Sequence, residues 1–291
     1  MLNALTVDVE DGWSIFSRDR LSREIEPTET VVKDTERILD ILSAKSVRAT
    51  FFVVGKVAEK FPSLIKRIAD SGHELGIHGF SHKQIFRLTP DEFRMDIRRA
   101  KNILEHLASV AVVGHRAAAF SVLPETKWAL RVLAEEGFTY DSSIAPCKNP
   151  RYGWDGFSKN ICRMDLGYGL SIVEVPMSVL PIPMTSKGFM TGGGYLRHFP
   201  YFVSYAAIKH IQKTRPVIVY MHPYEFGKEV APLSMEHLPT VSRWRAHWQA
   251  CWSLGMGIGN RRSMPVKAQK LLSAFEFTTV RQVIDKWLGH V

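Results

Sequence analysis

Short apolar runs alternate with amphipathic stretches through the first half of the chain, at intervals that predict strand, loop and helix in turn. Residues 4–9 (Ala-Leu-Thr-Val-Asp-Val) have the β-branched character of a short buried strand. Residues 28–44 set Val31, Val32, Thr35, Ile38, Leu39 and Leu42 on one helical stripe. Residues 49–55 read as a second strand closed by Gly55. Residues 58–71 follow as a helix, with Pro62 near its start and Gly72 as its stop. Glu74 to Ile77 is a third strand. Thr89-Pro90-Asp91-Glu92 supplies the N-cap, proline and acidic first turn of a helix that runs on to Leu107. Val110 to Val113 predicts a fourth strand, and Pro124 to Glu136 a helix stopped by Gly137. Such alternation predicts a parallel α/β arrangement, sheet or barrel.

The rhythm breaks over residues 146–170, rich in glycine and aromatic residues, which read as an irregular rim insertion. A strand resumes at 172–176. Gly192-Gly193-Gly194 predicts a flexible turn and lacks the Lys-Ser/Thr of a phosphate loop. Residues 200–214 form a helix, and 216–221 a strongly apolar strand that ends in His222-Pro223. Beyond it the tail is helical or irregular to Gln269. Phe275–Phe277 reads as a last strand and Thr279 to Leu288 as a closing helix. No linker, low-complexity tract or repeat interrupts the chain. The expectation is a single domain over 1–291, with a C-terminal extension near 225–291.

Composition narrows the classes. Forty-five per cent of the 291 residues are apolar, ample for a large core, yet no run approaches the roughly 20 apolar residues of a membrane span. The first residues run straight into a strand pattern without a basic or long apolar leader, which predicts an unexported, cytoplasmic chain. Cys147, Cys162 and Cys251 are far apart, so neither a disulfide framework nor a cysteine zinc site is implied. The net charge of +9 favours anionic company: a lipid- or nucleotide-phosphate-linked substrate, or the inner face of an anionic membrane. A merely solvated basic surface accounts for it equally well. Basic residues gather only in the C-terminal third (Arg243, Arg245, Arg261, Arg262, Lys267, Lys270). No nucleic-acid motif accompanies them.

Titratable residues recur just past the predicted strands. The first strand ends among Asp8, Glu10 and Asp11, and the third delivers His78 and His82, spaced to share one face of a helical turn. Later strands deliver Arg116, Asp141 and His222. In a parallel barrel all such ends meet on one rim, where sites are assembled. Two imidazoles with a carboxylate suit a divalent transition metal.

In this order the motifs resemble those of the polysaccharide deacetylases (carbohydrate esterase family four, nodulation-type homology). Asp8-Val9-Glu10-Asp11 stands in place of that family's paired aspartates. His78-Gly79-Phe80-Ser81-His82 is similar to its two-histidine motif, and Gly114–Phe120 to its arginine motif. Tyr140-Asp141-Ser142-Ser143 and Tyr220-Met221-His222-Pro223 are similar to its last two. Gly192–Tyr195 and the region of Gly257-Ile258-Gly259 resemble the branch associated with exopolysaccharide, O-antigen and other surface-glycan clusters. Two departures stand out: the acidic residues are spread rather than adjacent, and Ala118 replaces a proline.

The resemblance implies a distorted (β/α)7-type barrel and a zinc-type hydrolase removing an N-acetyl group from an amino sugar of a glycan. It implies His78, His82 and either Glu10 or Asp11 as metal ligands, and Asp8 as general base. Arg116 would orient Asp8 by a bidentate pair, and His222 would be the general acid, its tautomer fixed by Asp141. Another acyl group (O-acetyl, formyl or a cyclic amide) on the same metal site is an alternative, as is an inactive sugar-binding member.

Overall fold

The structure, a computed structural model, describes residues 1–21, 24–149, 152–182, 188–227 and 259–289. Arg243, Arg245, Cys251, Gly257 and Ile258 lie outside the described residues.

In chain order the strands are β1 (Asn3–Val9), β2 (Thr50–Val53), β3 (Glu74–Ile77), β4 (Gly114–His115), β5 (Tyr140–Asp141) and β6 (Cys162–Gly167). There follow β7 (Leu170–Glu174), β8 (Val179–Pro181), β9 (Gly188–Met190), β10 (Ile218–Met221) and β11 (Phe277–Thr278). Hydrogen-bonded neighbours run β10-β1-β2-β3-β4-β5-β7, and every pair along this path is parallel. Strands from both halves of the chain thus share one sheet. From β7 back to β10 the ladder is replaced by side chains. The Ile218 N–H donates to Ser178 Oγ (2.8 Å), and the Thr191 hydroxyl donates to Ile218 O (2.8 Å). That substitution is what distorts the (β/α)7 barrel.

Every residue of β1, β2 and β10 is buried, which explains why they read as continuous apolar runs rather than alternating ones. Most of the helices on the outside contribute an apolar stripe. Between β1 and β2 come α1 (Gly12–Leu21) and α2 (Thr30–Ala44), whose buried face includes Val31, Thr35, Ile38, Leu39 and Leu42. The helix expected over 58–71 is two, α3 (Gly55–Lys60) and α4 (Pro62–Asp70). Phe61 leaves helical geometry because the residue before a proline is crowded out of it. Between β3 and β4, α5 (Pro90–Ala108) carries the capping box read from Thr89 and Glu92. Then come α6 (Trp128–Glu135), α7 (Gly193–His198), α8 (Tyr201–Ile211), α9 (Met264–Ala274) and α10 (Val280–Leu288).

Three local expectations are corrected. The fourth strand forms at Gly114–His115 and not at 110–113, because the end of β3 meets it only there, Ile77 against His115. The rim insertion is irregular only in part. Residues 162–167 are an edge strand antiparallel to β7, turning through left-handed Gly167, Tyr168 and Gly169. Gly192 and Gly193 are not a flexible turn but the start of α7, pressed onto Tyr220. A Cβ on Gly192 would lie 2.1 Å from Tyr220 O, and one on Gly193 2.5 Å from its ring.

Candidate metal centre

Because the strands are parallel, their carboxyl ends share a rim, and just past four of them stands a titratable residue. Glu10 follows β1, His78 follows β3, Arg116 follows β4 and His222 follows β10. The structure brings Glu10, His78 and His82 together, with one ligand atom from each within 4.8 Å of the others. Glu10 Oε2 lies 2.8 Å from His82 Nε2 and 3.5 Å from His78 Nε2. All three side chains are buried.

The donor set fits a divalent ion. His78 Nδ1 lies 2.8 Å from the Arg116 carbonyl, which accepts its proton, and Nε2 is the ring nitrogen that faces Glu10. His82 is held by its backbone at φ 53, and its Nδ1 lies 3.3 Å from the Arg18 guanidinium. Burial pushes its pKa down, toward the neutral imidazole a metal requires, against the opposing pull of Glu10. Burial alone would raise Glu10. The charge of His82, the hydrogen bonds from His78 and His82, and the charge of His222 outweigh it and hold the carboxylate well below its usual range.

Asp11, the alternative carboxylate, is not in this group. Its oxygens accept the N–H groups of Trp13 (3.0 Å) and Thr28, holding the start of α1 against the approach to α2. Burial raises its pKa. The reason lies in strand alternation: Asp8 and Glu10 leave β1 on the same side, and no bulge intervenes to turn Asp11 inward.

Asp8 stands beside the cluster, fully buried, with Oδ1 2.7 Å from Arg116 Nη1. Arg116 is also fully buried, and three more of its donors are taken. Nη1 also donates to the Thr6 hydroxyl (2.7 Å), while Nε and Nη2 donate to the carbonyl and hydroxyl of Ser142, both at 3.0 Å. Its guanidinium carbon lies 4.3 Å from the Phe52 ring centroid. The pair with Asp8 is a single hydrogen bond, not the bidentate fork expected, because the fork is spent on Ser142.

His222 Nε2 lies 4.0 Å from Asp8 Oδ2 and 3.8 Å from Glu10 Oε1. Its Nδ1 is 3.4 Å from Glu225 Oε2, an oxygen that also accepts the His222 backbone N–H (3.0 Å). Burial works against protonation of this ring, but Glu225, Glu10 and Asp8 outweigh it and raise the pKa to about 9. The ring stacks on Tyr224, centroids 4.8 Å apart. Asp141, expected beside His222, is elsewhere. It accepts from His115 Nδ1 (2.6 Å) and from the Ser143 hydroxyl (2.7 Å). Burial, then the charge of Asp141, raises the carboxyl of Glu174 well above its usual range. His115, Glu174 and Glu225 were not anticipated from sequence. Only Glu225 carried a signal, its position three residues past His222 in a chain about to turn.

Seven parallel strands with a buried Glu-His-His group at their carboxyl rim define a class, an α/β barrel carrying a candidate metal site. Residues 10–140 match the polysaccharide deacetylase family, and this part of the chain is a polysaccharide deacetylase domain. Residues 142–285 match a domain of unknown function, DUF3473. The boundary between the two falls at β5, inside the common sheet.

Among curated relatives, a peptidoglycan-N-acetylglucosamine deacetylase of Bacillus cereus is 46% identical over 77 residues, 26% of this chain and 28% of that one. A chitooligosaccharide deacetylase of Azorhizobium caulinodans is 30% identical over 99 residues, 34% of this chain and 45% of that one. The match thus spans less than half the length of these relatives. Among solved structures, a polysaccharide deacetylase candidate from Mycobacterium smegmatis superposes with a TM-score of 0.62 at 19% identity. It covers 98% of this chain and 89% of its own. The Puue allantoinase gives 0.61 at 15% identity, covering 98% and 90%. These likenesses establish the fold. No helix among the described residues is long and apolar enough to cross a membrane.

Proposed function

We propose that this chain is a metal-dependent hydrolase that removes the N-acetyl group from an amino sugar in surface-polysaccharide or glycan biosynthesis. The observation that carries the reading is the buried group of Glu10, His78 and His82 with Asp8 and His222 against it. Glu10, His78 and His82 would hold the ion, for which zinc suits the two imidazoles and one carboxylate. A bound divalent ion supplies Lewis-acid chemistry, polarising the acyl oxygen and acidifying water.

The chain's own residues do the rest. Asp8, with Oδ1 fixed by Arg116, keeps Oδ2 on the side of His222 and Glu10, where it takes a proton from the attacking water. Arg116 is always charged and cannot be that base; its part is to hold Asp8 ionised and oriented. His222 directs Nε2 to the same place and delivers a proton to the leaving nitrogen, while Glu225 behind Nδ1 fixes the ring. Asp141 is assigned no step; with His115 and Ser143 it braces the strand ends behind Arg116.

The peptidoglycan and chitooligosaccharide deacetylases among the relatives support an N-acetylated sugar. The DUF3473 half supports an exopolysaccharide setting. The basic charge of the chain favours a lipid- or nucleotide-linked substrate and contact with an anionic membrane surface at the cytoplasmic face. The test is release of acid from a panel of N-acetylated, N-formylated and O-acetylated amino-sugar oligosaccharides, with and without a chelator. Chelator-sensitive acetate from the N-acetylated members is the expected result. Formate alone, or acetate only from the O-acetyl esters, would change the acyl group. No acid from any of them would leave a sugar-binding protein.

A further inference from the structure

The loop between the two imidazoles cannot hold its shape unaided. Gly79 and His82 both occupy the left-handed region, at φ 71 and φ 53, a costly conformation for a residue with a side chain. Between them the backbone N–H groups of Phe80 and Ser81 converge on one carboxylate. Phe80 donates to Asp96 Oδ2 (2.6 Å), while the Ser81 N–H (3.3 Å) and hydroxyl (3.0 Å) donate to Oδ1. Asp96 lies in the second turn of α5 and touches none of Glu10, His78 or His82. A Cβ on Gly79 would come within 3.1 Å of Asp96 Oδ2, so the loop needs glycine there both for its φ and for the close approach.

The loop's carbonyls are accounted for as well. Gly79 O and Phe80 O accept the N–H groups of Gly55 and Lys56 in the first turn of α3, both at 2.9 Å, and Ser81 O accepts from Arg18 (2.7 Å). The Phe80 ring is clamped between Gly55 and the Arg99 guanidinium, whose carbon is 3.7 Å from the ring centroid. The acceptor side of the loop is therefore held by a helix start, and the Phe80 and Ser81 donors, among the described residues, by Asp96.

We propose that Asp96 is a positioning residue for the His78–His82 loop, setting the affinity of a metal site it does not touch. The inference rests on the metal reading above. Charge-assisted bonds from two N–H groups and a hydroxyl keep His82 in its left-handed state, and with it the direction of Nε2. Without the carboxylate the three donors must find other partners, the strained residue relaxes, and the two imidazoles lose their common focus.

The experiment is a zinc titration of the apo-protein against a chromophoric chelator, run below the melting transition of every form. Wild type is compared with Asp96→Ala, with the isosteric Asp96→Asn and with Asp91→Ala, an exposed control in the first turn of α5. Asp96→Ala should weaken zinc binding by about 10–100-fold, the range seen when support outside the ligands of a metal site is lost. Asp96→Asn should fall between it and wild type, and Asp91→Ala should match wild type. Should Asp96→Ala not fold, Asp96→Asn alone carries the comparison. A lowered melting temperature with unchanged zinc affinity would overturn the proposal, because a merely structural role predicts that outcome. Wild type that takes up no zinc would overturn both this and the metal reading. Wild type and variants binding equally would overturn this one only.

Discussion

His222 pairs with Glu225, three residues on in the same turn, and not with Asp141, which is bonded to His115. The His222 ring therefore carries its own partner on its own segment. Replacing His222 with alanine should lower kcat by about 10²–10⁴-fold, the usual share of a general acid, with zinc still bound. Glu225→Gln removes a contact to a charged group, worth about 1.5–3 kcal/mol, and should lower kcat by about 10–100-fold with KM unchanged. Steady-state kinetics on the acetate-releasing substrate decide it. If Asp141→Asn slows turnover more than Glu225→Gln at equal stability, the pairing has been misassigned.

Asp8 and Arg116 are a buried pair whose loss should register twice. Asp8→Asn should keep zinc and lose turnover; a fully active Asp8→Asn enzyme removes Asp8 as the base. Arg116→Met leaves Asp8 as an unpaired buried charge, at a cost of about 3–5 kcal/mol. The double variant Asp8→Asn/Arg116→Met should be more stable than Arg116→Met. Urea unfolding of the three proteins tests the sign of that coupling.

Glu10 and Asp11 are neighbours with different duties. Glu10→Gln should weaken zinc binding by at least the roughly 10–100-fold that loss of an outer partner costs. Asp11→Asn should leave zinc affinity near wild type while loosening the start of α1, where Trp13 and Thr28 bond to it. Chelator competition on the two variants settles which carboxylate ligates.

His73 gives a pH dependence unconnected with catalysis. Burial, then the charge of Arg48, lowers its pKa from 6.5 to about 4, and its Nδ1 accepts the Ala49 N–H at 3.2 Å. The unfolded chain binds the extra proton at higher pH than the folded one, so stability rises with pH through this window. The contribution is fully present above pH 6.5 and is lost as pH falls through about 4. The urea midpoint of wild type should drop between pH 7 and pH 5, and His73→Gln should show a smaller drop. Equal drops would remove His73 as the source.

The strand ends were legible because the physics that writes them is local. Val7, Phe51, Phe52, Ile77 and Val219 must be apolar to be buried on both faces of a parallel sheet, so the titratable residue that ends each run stands out. Where packing rather than pattern decided, sequence reading failed. The fourth strand forms where Ile77 can reach His115, and Gly192 and Gly193 serve the close approach of Tyr220 rather than a loose turn.

Within the site, the sequence by itself determined the chemical inventory and its order: carboxylates at the end of the first strand, imidazoles after the third, arginine after the fourth, histidine after a late strand. The choice between Glu10 and Asp11 stayed open in the sequence, because a bulge or the Gly12 turn brings in Asp11 as readily as strand alternation brings in Glu10. Tertiary structure alone decided who meets whom. Asp141 and Glu225 are both acidic and both near a strand end, and the three-residue spacing of Glu225 from His222 does not by itself decide which of them faces the ring. That depends on how far apart β5 and β10 lie around the barrel and on the turn after Pro223. The support of the ligand loop by Asp96 is of the same kind, since a helix face meets a loop only once both have packed onto the sheet.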